Sequence, residues 1–103
     1  MINKINSKNL VIGTANFSMN YGLKHNSKVI NNDKKKNIIS FIKQKKINFF
    51  DTSQEYSDSE SFLGRQNIYN IKVITKVVFR KKKISEEYVE KLINKSLKKL
   101  KVK

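Results

Sequence analysis

Three short apolar runs punctuate the chain: Leu10-Val11-Ile12-Gly13-Thr14, Ile47-Asn48-Phe49-Phe50 and Ile71-Lys72-Val73-Ile74-Thr75. Each is followed, before the next run or the end of the sequence, by a segment with helical periodicity or a helix-start signal. Strand-then-helix repetition forces parallel pairing, because each crossover returns the chain to the same end of the sheet. The pattern therefore predicts an α/β fold with parallel strands near residues 9–14, 47–51 and 71–76. Helices near 33–46, 57–65 and 85–100 are expected together on one face.

Local signals support each helix. Asp33 is placed to cap the first, in which Ile38, Ile39, Phe41 and Ile42 gather on one side while lysines cover the other. Ser57, Asp58 and Ser59 favour a start for the second, Glu60 complements its positive dipole end, and Phe62 and Leu63 supply its buried side. In the third, Ser85 is the expected cap, and Ile84 and Val89 occupy the positions of a hydrophobic staple. Val89, Leu92, Ile93, Leu97 and Leu100 recur at the helical period and form the expected packing face. Between the first strand and Asn32 the pattern reads only as a polar loop.

Three such units make a sheet with two unpaired edges and little core to offset chain entropy. Residues 1–103 are therefore expected to form a single incomplete domain rather than a small finished one. The net charge of +15 would by itself point to nucleic acid or an anionic surface. Yet 21 lysines stand against 2 arginines, whereas specific readout of phosphates and guanines leans on the arginine fork. Lys, Asn and Ile make up 47 of 103 residues and can all be written in A and T, so codon bias accounts for much of the excess. Cysteine is absent and no apolar stretch reaches membrane-spanning length or resembles a signal peptide, so a cytoplasmic protein is expected.

The chemistry concentrates at the ends of the second and third runs. Asp51 closes the second, Tyr56 follows five residues later, and Lys76 closes the third. Strand ends deliver such groups to one place, where a carboxylate, an ammonium and a phenol make a proton donor. Taken singly, Asp51 is a common turn cap, Tyr56 a packing residue and Lys76 one more surface lysine; only their shared registry raises all three. Gly64 reads as a backbone turn position, for Gly13 that is one of two readings, and Tyr69 and Tyr88 read as packing residues.

Gly13-Thr14-Ala15, Asp51-Thr52-Ser53 with Tyr56, Ser59-Glu60 with Leu63-Gly64, Thr75-Lys76 and Ser96-Leu97-Lys98-Lys99-Leu100 occur in that order. Together they resemble the aldo-keto reductase family over residues 9–100. Gly13 to Leu23, with Tyr21-Gly22, is similar to bacterial members associated with sugar metabolism. The resemblance implies a partial (β/α)8 TIM barrel, comprising the first three β/α units of a fold that normally needs about 250 residues. It implies hydride transfer from NADPH to a small-molecule carbonyl substrate. Tyr56 would be the proton donor, Lys76 the group that lowers its pKa, and Asp51 the partner that balances Lys76. Gly13, Thr14 and Asp51 would make the first NADP contacts.

The family's catalytic His lies beyond the position of Lys103, and His25, in the loop after the first strand, does not substitute for it. Ser57 and Ser18 stand where relatives carry Gly, which puts the local loop geometry in question. Three readings stay open. The chain is a reductase N-terminal fragment without activity of its own, either truncated or separated from a complementing C-terminal half; or a noncatalytic polyanion- or nucleic-acid-binding module; or a small structural or interaction protein that pairs its sheet edges with a partner.

Overall fold

The computed structural model describes residues 7–18, 30–66 and 70–102. After a 3-10 turn at Ser7–Asn9 come β1 (Val11–Gly13), α1 (Ala15–Ser18), α2 (Asn32–Gln44), β2 (Phe49–Asp51), α3 (Ser59–Arg65), β3 (Lys72–Ile74) and α4 (Glu86–Leu100). The strands form one sheet in the order β1-β2-β3, parallel throughout as the alternation predicts. Val11 pairs with Phe49 and Phe49 with Lys72, while Gly13 pairs with Asp51 and Asp51 with Ile74. Each strand is shorter than its apolar run, although bonds such as Thr52 N–H to Ile74 O (2.8 Å) and Thr14 N–H to Asp51 O (3.0 Å) prolong the ladder.

Alternation along these strands sends Ile12, Phe50 and Val73 to one face. There Phe50, fully buried, meets Ile39 and Ile42 of α2, Phe62 and Leu63 of α3, and Leu100 of α4 in one cluster. All three long helical segments thus share that face, as expected. α1 is an addition. The stretch that reads as polar loop contains a helical turn whose Phe17 is buried and packs edge-on against Phe62, with ring centroids 5.9 Å apart.

Several boundaries differ from the sequence expectation for identifiable reasons. The α2 cap is Asn31, whose side chain accepts from Lys34 N–H at 2.9 Å, and Asp33 lies in the first turn. Lys35 departs from the solvated lysine face: it is buried, with its Nζ 5.0 Å from the Phe62 ring centroid. α3 begins at Ser59 rather than Ser57, because Ser57 has φ 48° and cannot continue a right-handed turn. α4 starts as expected, with the Ser85 hydroxyl accepting from Tyr88 N–H at 3.2 Å. Its packing face is rotated, however. Ser96 and Leu100 are buried, while Ile93 and the outer staple residue Ile84 are exposed.

Gly64 is no turn residue. It lies inside α3 where that helix crosses α4, and a Cβ built there would sit 1.9 Å from the Lys99 carbonyl oxygen. The glycine permits two helix backbones to approach. Tyr88 packs near Phe79 and accepts a hydrogen bond from Arg80 N–H, in keeping with a packing role. Tyr21-Gly22, His25 and Tyr69 lie outside the described residues. No described helix is long and apolar enough to cross a membrane.

Candidate active site

The opposite face of the sheet has no helix on it among the described residues. Val11 and Ile74 are each 49 % exposed there, and Asp51 lies between Gly13 and Ile74 in the last row of the ladder. Lys76, two residues past Ile74, returns to the same side. Its Nζ donates to both Asp51 carboxylate oxygens, at 2.9 and 3.0 Å. Parallel pairing is what makes this possible, since it puts the C-terminal ends of β2 and β3 side by side.

Tyr56 is brought to the pair by the loop that leaves β2. Gln54 N–H donates to Lys76 O at 3.2 Å, Tyr56 N–H to Ser53 O at 3.1 Å, and Ser59 N–H to Tyr56 O at 2.9 Å. These bonds fold the loop back over the end of β3. The Lys76 Nζ lies 5.0 Å from the Tyr56 ring centroid, so the phenol ring stands against the ammonium. Partial desolvation pulls the Lys76 pKa down. Hydrogen bonds to Asp51 and Tyr56, together with their charge, outweigh it and hold the ammonium above the ordinary lysine value of 10.5. Lys76 is therefore a fixed positive charge at neutral pH, set between a carboxylate and a phenol.

Of the two positions that resemblance marks for cofactor contact at the first strand, Gly13 and Thr14 differ sharply. Gly13 is exposed, and a Cβ added to it would meet nothing within 4 Å. Thr14 is fully buried: its hydroxyl donates to Asp51 O at 3.1 Å, and its carbonyl accepts from the Ser59 hydroxyl at 3.1 Å. Its side chain fastens β1 to β2, and its backbone carbonyl ties the same strand end to the start of α3. Ser57, flagged as a departure from the family's glycine, has the left-handed backbone for which glycine is suited.

Sequence reasoning missed a polar cluster beneath the loop. Glu60, expected to complement the helix dipole and indeed in the first turn of α3, is 2 % exposed. Its Oε1 accepts from the Thr75 hydroxyl at 2.6 Å and from the Ser96 hydroxyl at 2.8 Å. The Gln54 amide donates to Ser96 Oγ at 2.7 Å and to Leu92 O at 2.8 Å. One signal was available: Ser96 falls between Leu92 and Leu100 at i+4 spacing, a hydroxyl in the middle of an apolar helix face.

Comparison with known proteins supports the fold. None of the curated proteins matches the sequence. Two solved structures from Pseudomonas aeruginosa, both of proteins assigned as aldo-keto reductases, share the fold. One superposes with a TM-score of 0.71 at 25 % identity, the other with 0.69 at 22 %. Each alignment takes in 89 % of this chain, which spans 38 % and 36 % of the two reductases. The three parallel strands and their helices thus correspond to part of a (β/α)8 barrel, and the exposed face of the sheet corresponds to the side that faces the barrel axis. The model of the aldo/keto reductase family matches residues 9–103, and the chain belongs to that family.

Proposed function

We propose that this chain carries the proton-donating part of an NADP-dependent carbonyl-reducing site. Tyr56 is the acid, Lys76 the charge that supports it, and Asp51 the counterion that fixes Lys76. The observation that carries the reading is the bidentate Lys76–Asp51 pair with the Tyr56 phenol ring against the same ammonium. As the phenolic proton moves to a carbonyl oxygen, negative charge develops on the Tyr56 oxygen, and a fixed ammonium beside it lowers the energy of that transition state. Asp51 stops the ammonium from swinging into solvent.

The residues fit a nicotinamide cofactor in two respects. Gly13 leaves its strand end unobstructed, and Asp51 stands next to it in the ladder, so a flat ring and its ribose can approach the backbone there. When bound, NADPH supplies the hydride for the carbonyl carbon. Gly13 and Asp51 would orient it, and Thr14 would act on it indirectly by holding the two strand ends together.

The same reading takes the chain alone to be inactive. It spans little more than a third of the reductases it superposes on, so a further part of the barrel is needed to enclose the substrate and exclude water. A C-terminal half, supplied separately or in a longer chain, fits the apolar groove between β3 and α4 lined by Ile71, Val73, Val77, Ile93 and Leu97. The test is NADPH oxidation by the purified 103-residue chain with a panel of aldehydes and sugar carbonyls, beside Tyr56→Phe. Background rates are expected for both. Turnover that Tyr56→Phe abolishes would show that the chain is a working enzyme.

A further inference from the structure

The loop between β2 and α3 raises a positional problem. Asp51 belongs to the ladder, and Lys76 lies two residues beyond it, but Tyr56 is five residues out on a loop that contains the left-handed Ser57. A phenol on such a loop stays against an ammonium only if something ties the loop to the segment bearing that ammonium. The backbone supplies one tie, Gln54 N–H to Lys76 O at 3.2 Å. One backbone bond leaves a hinge, and the Glu55–Arg80 ion pair, with side chains 40 % and 72 % exposed, is too solvated to close it.

We infer that Gln54 is the positioning residue that sets Tyr56 against Lys76, acting through a closed circuit of hydrogen bonds that is half-buried at Gln54 and Thr75 and fully buried at Ser96 and Glu60. The inference rests on the reading of Tyr56 and Lys76 given above. The Gln54 amide nitrogen donates to Ser96 Oγ of α4, Ser96 donates to Glu60 Oε1 of α3, and Thr75 donates to that same oxygen. Thr75 is bonded covalently to Lys76, whose carbonyl accepts from Gln54 N–H and closes the circuit. Outside the circuit, the second Gln54 amide proton goes to Leu92 O, and its oxygen accepts from Val78 N–H at 3.4 Å, beyond Lys76 on the other side. The Gln54 side chain therefore grips the chain after the lysine and the helix beneath it, while its backbone grips the lysine itself.

The donors and acceptors run in one consistent direction. A glutamine amide donates, a serine hydroxyl accepts and then donates, and a carboxylate accepts last. Only a side chain with two amide protons and a carbonyl oxygen can satisfy Ser96, Leu92 and Val78 together. Glu60 is buried for this purpose at a cost: its Oε2 has no hydrogen-bond partner among the described residues. An arrangement maintained against that cost fixes the distance between α3, α4 and the end of β3, and thus the place where the Tyr56 loop lands. The consequence in a complete barrel is a lower kcat with little change in KM when Gln54 is lost, since a displacement of about 1 Å is enough to reduce rate about 100-fold.

The geometry can be read in this chain without turnover. With the Lys76 ammonium over the Tyr56 ring, the Lys76 ε-methylene protons should carry an upfield ring-current displacement in the NMR spectrum. Lys76→Arg assigns the resonance, and Tyr56→Leu removes the displacement. Gln54→Met keeps side-chain length without amide hydrogen bonds, and Ser96→Ala breaks the circuit on another element. Both are expected to lose more than half of the displacement while helix content by circular dichroism is kept. Ile39→Val, a core change in α2, is expected to retain it. Retention in either circuit variant overturns the inference, as does an equal loss in Ile39→Val, which would mean general loosening. Should Gln54→Met fail to fold, Ser96→Ala carries the test. If Tyr56→Leu leaves the Lys76 signal unmoved in the otherwise native chain, the site reading itself falls and the inference with it; movement there with full retention in the circuit variants removes the inference alone.

Discussion

The two faces of this small sheet are made from alternate residues of the same three strands, yet they do different work. On one, Ile12, Phe50 and Val73 meet helices, and Phe50 has no exposed surface. On the other, Val11 and Ile74 stay half exposed, and the polar groups Asp51 and Lys76 pair with each other above the strand ends. A one-residue slip in register would exchange the two sets. The contrast teaches that stability is held by the helix-covered face, while the open face holds chemistry that adds little to stability. An ion pair with side chains 46 % and 37 % exposed stabilises a fold by at most about 1 kcal/mol, whereas one buried phenylalanine is worth several times that.

The comparison breaks if substitutions on the two faces have similar effects. Phe50→Ala should destabilise the chain by about 3–5 kcal/mol in urea unfolding. Ile74→Thr on the open face should change stability by less than about 1 kcal/mol. Equal shifts would mean that the exposed face is covered in solution. Gly64→Ala comes next, with a loss of about 3 kcal/mol, since the Lys99 carbonyl cannot move without shifting a turn of α4. A midpoint unchanged by that alanine would show that α3 and α4 sit farther apart than 1.9 Å to a Cβ allows.

Smaller effects sharpen the account of the open face. Ser57→Gly should raise stability by up to about 1 kcal/mol, because it relieves a left-handed serine, less the added freedom of the unfolded glycine. Thermal unfolding of the pair of proteins measures it, and a loss of stability would mean that the Ser57 side chain has a use not seen here. Lys76→Met should be the mildest, below about 1 kcal/mol at neutral pH, although it removes the charge beside Tyr56. Its pH dependence has a definite sign. The folded pKa of Lys76 is raised, so its contribution is complete below the ordinary value of 10.5 and disappears as pH climbs through the folded value above it. The difference between native and Lys76→Met chains should therefore be flat around neutrality and shrink only in alkali; shrinkage at neutral pH would contradict the raised pKa.

Sequence alone determined the order of the three strands and the three longer helices, though not α1, together with the parallel sheet and the residues that meet at its end. Apolar period and helix caps are local properties, and parallel crossovers then leave almost no freedom in where Asp51 and Lys76 finish. The family resemblance also marked Ser57 as an anomaly, since relatives usually carry glycine at that position. Tertiary structure alone decided which polar residues are buried. Glu60 reads as a helix-start carboxylate whether it faces water or Ser96, Gly64 reads as a turn whether or not Lys99 lies against it, and Gln54 has no local signature at all. The reason is physical. Hydrogen bonds between residues 15 to 42 positions apart exist only after the helices have docked, and no period of 2 or 3.6 residues records them.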